Sequence, residues 1–129
     1  MAYSFTWETK GVHKHFSGVL TAAEYHRSQI ELTGGENFDG LRYVINDFSA
    51  IERFVITPEE AEYMAAYSQG PHMANPTLRV CFITTDPSIL ALISGSKDIS
   101  VFRLEAFPTL AAARQSLSQG RRPGSTGAQ

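Results

Sequence analysis

Apolar and polar residues alternate at the start of the chain. In YSFTWE, residues 3 to 8, Tyr3, Phe5 and Trp7 fall on one side and Ser4, Thr6 and Glu8 on the other, which predicts a strand with one buried face. Lys10-Gly11 supplies a turn and Val12 to Phe16 resumes extended structure, so the two segments read as a hairpin. A helix is expected from Thr21. Its hydroxyl is placed to cap the first turn, with Glu24 three residues on as a capping box requires and Leu20 and Tyr25 as the hydrophobic staple. It runs to about Leu32 and closes at Gly34-Gly35, where a left-handed cap is expected.

The second half repeats a strand–helix rhythm. Leu41 to Phe48 is continuously apolar and β-branched at its centre, as in strands covered on both faces. A second capping box follows, with Thr57 as cap, Pro58 at the first helical position and Glu60 three after the cap. Ala61, Met64, Ala65 and Ser68 give this helix its stripe, and Gly70-Pro71 stops it. TLRVCFITT, 77 to 85, is the strongest strand, and Asp86-Pro87 opens a helix carrying Ile89, Leu90 and Ile93. Ile99 to Phe107 reads as the last strand, before a helix capped by Thr109. The order β-β-α-β-α-β-α-β-α predicts an α/β domain: a five-stranded mixed sheet with four helices, its first strand antiparallel to the second.

Composition narrows the class. The chain has 129 residues, 43% of them hydrophobic, enough for one domain with one core. Eleven basic residues against 13 acidic ones give −2 with no basic stripe, so nucleic acid is a poor partner. The single cysteine, Cys81, leaves no internal disulfide framework and points to a reducing compartment. The first residues lack the pattern of a signal peptide, and no apolar stretch approaches a membrane span. A cytoplasmic protein is the expectation. The domain is expected over 1–117, with a disordered tail over 118–129, SQGRRPGSTGAQ.

Several segments resemble a known family. GVLTAAEY at 18 to 25 is similar to the Gly-x-Leu-Thr start of the first helix in STAS domains. YVINDFSAI at 43 to 51 resembles their third strand, which ends in Asp-Leu-Ser and an apolar residue. RVCFITTDPSI and VFRLEAFPTLAAARQSL resemble the last strands and final helix of small SpoIIAA-like bacterial proteins. The resemblance implies an open α/β sheet and, in the best-known members, a regulatory role. Anti-sigma-factor antagonists of that family bind a partner kinase and are switched by phosphorylation of a Ser or Thr at the start of the helix after this strand. Here Thr57 is the only hydroxyl at that helix start, and Pro58-Glu59-Glu60 replaces the family's Asp-Ser-Ser/Thr-Gly-type motif. Glu59 and Glu60 would repel a phosphate, and the capping box by itself accounts for Thr57. The chain looks closer to STAS-like relatives known only by fold and related to CRAL-TRIO lipid-binding domains.

Candidate chemistry is sparse. Asp47, Ser49, Thr57, Thr84 and Asp86 gather where strands are expected to end, the usual place for ligands in open α/β sheets. Local backbone capping explains them better. His13 and His15 share a strand face, but on an exposed hairpin they read as solvated side chains, and no metal or other cofactor is expected. Cys81 reads as a buried small hydrophobe. Phe-Val-Ile at 54 to 56 is expected in a connection, where with Met73 it offers an apolar surface. The sequence therefore favours a non-enzymatic STAS-like regulatory or protein-interaction module. The alternative is a carrier with an apolar pocket between the sheet and the second helix, holding a lipid or nucleotide. An enclosed pocket under Phe54, Met64 and Tyr67 would favour the carrier, and a flat patch there the partner module. The partner is an unidentified protein or a small apolar ligand, and exposed edge strands permit a homodimer.

Overall fold

A computed structural model describes residues 3–119. Its five strands are β1 (Tyr3–Trp7), β2 (Gly11–Thr21), β3 (Tyr43–Val55), β4 (Arg79–Ile83) and β5 (Arg103–Phe107). They form one sheet in sequential order, with β1 antiparallel to β2 and the other pairs parallel. The four expected helices are α1 (Ala22–Thr33), α2 (Pro58–Tyr67), α4 (Pro87–Ser96) and α5 (Leu110–Gln119). A six-residue α3 (Gln69–Ala74) follows α2 directly. It accommodates Pro71 because first-turn residues need donate no helical hydrogen bond.

The pleat divides the core in two. Phe16, Phe48 and Phe82 face Tyr25 of α1, Met64 of α2 and Ile89 and Ile93 of α4. On the other side Ile45, Cys81 and Ile83 pack against Ala113 of α5. Three helices thus cover one face, and α5 crosses the other. That double cover explains the continuous apolar runs of β3 and β4.

Several local expectations give way to tertiary geometry. β3 continues through Val55, so Phe54 and Val55 belong to a strand rather than a connection. Beyond Asp47, which pairs with Ile83, β3 leaves β4 and runs on beside β2 alone. Two register shifts bend this extension. One falls opposite Phe16, around Phe48 and Ser49; the other follows Gly18, whose φ of +69° suits a residue without a Cβ. Gly34 closes α1 with φ −86°, in the right-handed region, not the left-handed one expected. Ile99 to Phe102 precede β5 as turns, because the Ser96 carbonyl accepts the N–H groups of Ile99 and Ser100. α5 extends past 117 to Gln119, and the rest of the expected tail, 120–129, lies outside the described residues. Among the described residues no helix is long and apolar enough to cross a membrane.

A polar clasp ties the first hairpin to the last helix. Arg114 donates to both carboxylate oxygens of Glu8, at 2.9 and 2.6 Å, and the Tyr43 hydroxyl donates to the same carboxylate. The Arg114 hydrogen bond, with that from Tyr43, outweighs partial burial and holds Glu8 down to about 2, against 4.5 for a free carboxyl. A depressed carboxyl contributes stability above its unfolded value and loses it as pH falls through the folded one. Arg114→Leu is expected to cost about 0.5–1 kcal/mol near neutrality, since the pair is partly exposed. Urea unfolding from pH 7 down to pH 2 checks this: the wild type should lose its advantage over the variant below pH 4.5.

Candidate functional site

Alternation along β2 decides where its polar residues go. Val12, Lys14 and Phe16 share the face under α1, and His13 and His15 share the opposite one. Lys14 is 1% exposed. Its amine lies 5.2, 5.4 and 5.9 Å from the ring centres of Tyr25, Phe16 and Phe5. Such contacts attract a cation but replace only part of its hydration. Among the described residues Lys14 makes no ion pair. Glu31, the acidic group that acts on it, is engaged by the Tyr3 hydroxyl at 2.8 Å. Burial therefore pushes the amine down to about 7, against a smaller upward pull from Glu31.

Asn46 is the register neighbour of Lys14 on β3 and is also 1% exposed. Its amide nitrogen donates to the Cys81 carbonyl at 3.3 Å, while its Oδ1 has no hydrogen-bond partner among the described residues. Both residues line a cavity of about 50 Å³, together with Tyr67, Phe102, Leu78 and others. A second cavity of about 100 Å³ lies between the sheet, α2 and α4, lined by Phe48, Phe54, Met64, Phe82, Ile89 and Ile93 among others. Tyr25, Gln29, Ser68, Val80 and Phe102 line both cavities.

The residues singled out by sequence fall into separate places. Phe54 and Met64 line the larger cavity and Tyr67 the smaller. Met73 is 86% exposed on α3. Asp47 sits within β3 rather than at its end. Its Oδ1 accepts the Ser49 N–H at 2.9 Å and the Ser49 hydroxyl at 2.6 Å, which settles the backbone at the register shift. Thr57 and Glu60 form the expected capping box, with distances of 3.1 and 2.9 Å. Asp86 accepts from the Ser88 N–H and hydroxyl at the start of α4, and Thr84 Oγ1 accepts the Asp86 N–H. The strand order has no reversal, so the crevice that gathers ligands in doubly wound sheets is not formed.

His13 departs from expectation, while His15 stays exposed. His13 is buried, and its Nε2 lies 2.8 Å from Asp47 Oδ2. Its ring stacks on His15 at 3.9 Å between centres, and one ligand atom from each of His13, His15 and Asp47 lies within 4.8 Å of the others. Burial pushes the Asp47 carboxyl up, but hydrogen bonds from Ser49 and His13 outweigh it and hold it below its ordinary value. Burial also raises the Cys81 thiol to about 11, so it is no ready thiolate.

Sequence reading missed Lys14 and Asn46, although the signal was there. A lysine between Val12 and Phe16 at period two, and an asparagine after Val44, occupy positions that face the core. Treating the hairpin as solvated hid the contradiction.

An open mixed sheet with three helices on one face and one on the other defines the SpoIIAA-like, or STAS-like, α/β fold. A solved structure of the anti-sigma factor antagonist SpoIIAA in its unphosphorylated form matches with a TM-score of 0.63 at 10% identity, covering 92% of this chain and 99% of that one. No protein-family model matches the chain. No curated protein matches its sequence.

Lys14→Met keeps the stem and removes the charge. The unfolded state holds the Lys14 proton up to about pH 10.5 and the native state only to about 7. The native state binds fewer protons between those values, so stability should rise with pH across that window. Removing an amine whose charged form burial disfavours is expected to stabilise the fold where that amine would still be protonated. The variant is expected to melt higher at pH 7 and to lose the pH 7–10 rise, as read by calorimetry.

Proposed function

We propose that the chain is a non-enzymatic STAS-like regulatory module that works by binding a protein partner through the α2–α3 segment. The observation that carries this is the exposure of large apolar side chains there. Tyr63 is 66% and Met73 86% exposed, on consecutive helices of a fold shared with an anti-sigma factor antagonist. Contiguous exposed apolar surface marks interaction sites, and this segment supplies two such side chains. Thr57 serves this reading as the cap that fixes where α2 begins.

A second reading, a small-ligand carrier, is supported by the cavity of about 100 Å³ beneath Phe54 and Met64. The two readings are compatible, since a ligand under α2 would bear on the surface that α2 presents.

Quantitative affinity capture from the native host tests the first reading. A host protein should be enriched on the wild type and reduced at least tenfold on the double variant Tyr63→Glu, Met73→Glu. Equal recovery on both proteins would overturn the assigned surface, and no enriched protein would overturn the module reading.

A further inference from the structure

We infer that the paired cavities are a binding site for a small apolar carboxylate, its head paired with the Lys14 amine and its body against Phe48, Met64 and Ile89. This rests on the carrier reading and adds the chemistry that selects the ligand. Three independent observations converge on it. A fully buried amine has no ion pair among the described residues. Its register neighbour holds a buried carbonyl oxygen with no partner among the described residues. Both line a cavity that shares a wall with a larger apolar one.

The chemistry of the head follows from what is unsatisfied. An ammonium buried without a counter-ion is strongly destabilising, and a carboxylate supplies both the charge and the acceptors it lacks. An ammonium has three N–H donors, so beside the carboxylate it keeps one that can donate a hydrogen bond to Asn46 Oδ1, an acceptor the carboxylate itself cannot satisfy. The aromatic rings of Phe5, Phe16 and Tyr25 hold the amine in place and exclude water, which strengthens the pairing.

Size follows from volume. The cavities measure about 100 and about 50 Å³. An apolar cavity of about 150 Å³ takes a benzene-sized molecule, so a body of about six carbons needs both volumes, with the shared Tyr25 and Phe102 side chains giving way. A long-chain fatty acid requires α2 and α3 to move outward.

The test compares hexanoate, hexanamide and hexanol by calorimetry at pH 6 on the intact chain. The expected result is at least tenfold tighter binding of hexanoate than of either neutral probe on the wild type. That preference should disappear in Lys14→Met and weaken in Asn46→Ala. Equal binding of all three probes, unchanged by Lys14→Met, would overturn the head assignment and leave the carrier reading standing. No binding of any probe would overturn both. The wild-type comparison decides the matter even if a variant fails to fold.

Discussion

Val12, Lys14 and Phe16 share one face of β2, so the amine of Lys14 goes where the pleat sends it, beneath α1 and among three aromatic rings. β2 sits between β1 and β3, and turning this residue outward would slip the strand by one position. That would expose Val12, Phe16 and Leu20, which are 0 to 1% exposed in the fold. Burying three large apolar side chains is worth roughly 1.5–3 kcal/mol each. The sum is comparable with the cost of one dehydrated amine that can shed its proton. Register therefore wins, and the amine adapts by losing basicity.

The same conflict shapes its surroundings. Asn46 stands beside Lys14 on β3 and spends its amide nitrogen on the Cys81 carbonyl, which leaves its oxygen facing the interior. Just past it, β3 loses β4 as a neighbour and its register shifts at Phe48 and Ser49. Asp47 takes up the Ser49 N–H there and holds His13 on the opposite face. A stretch that reads as a catalytic cluster in one dimension is thus strand joinery in three. The unsatisfied chemistry lies on the covered face, two strands wide, next to empty apolar volume.

Much of this was legible in the sequence. Period-two alternation, helix caps at Thr21 and Thr57 and the strand–helix rhythm gave the sheet, its antiparallel first strand and the four main helices, because those signals are local; of the two expected capping boxes only Thr57–Glu60 closes reciprocally, while at Thr21 only the Glu24 N–H bond forms. The resemblance to SpoIIAA-like proteins held at the level of fold. What escaped was set by distant partners. The length of β3 depends on how far β2 runs beside it, and the late start of β5 on hydrogen bonds to the Ser96 carbonyl. Phe54 and Met64 were found as apolar residues near α2. Their cavity, and the Tyr25 and Phe102 side chains it shares with the one beside Lys14, depend on how three helices settle on the sheet.

The central claim is that Lys14 is an uncompensated amine inside the fold, and its own titration reports on that most directly. Heteronuclear NMR of side-chain-labelled lysine, followed from pH 5 to pH 11 and assigned with Lys14→Met, isolates its Cε signal. A midpoint near 7 and a signal shielded from solvent exchange are expected. A midpoint near the ordinary lysine value of about 10.4, with rapid solvent exchange, would place the amine in water and contradict the claim.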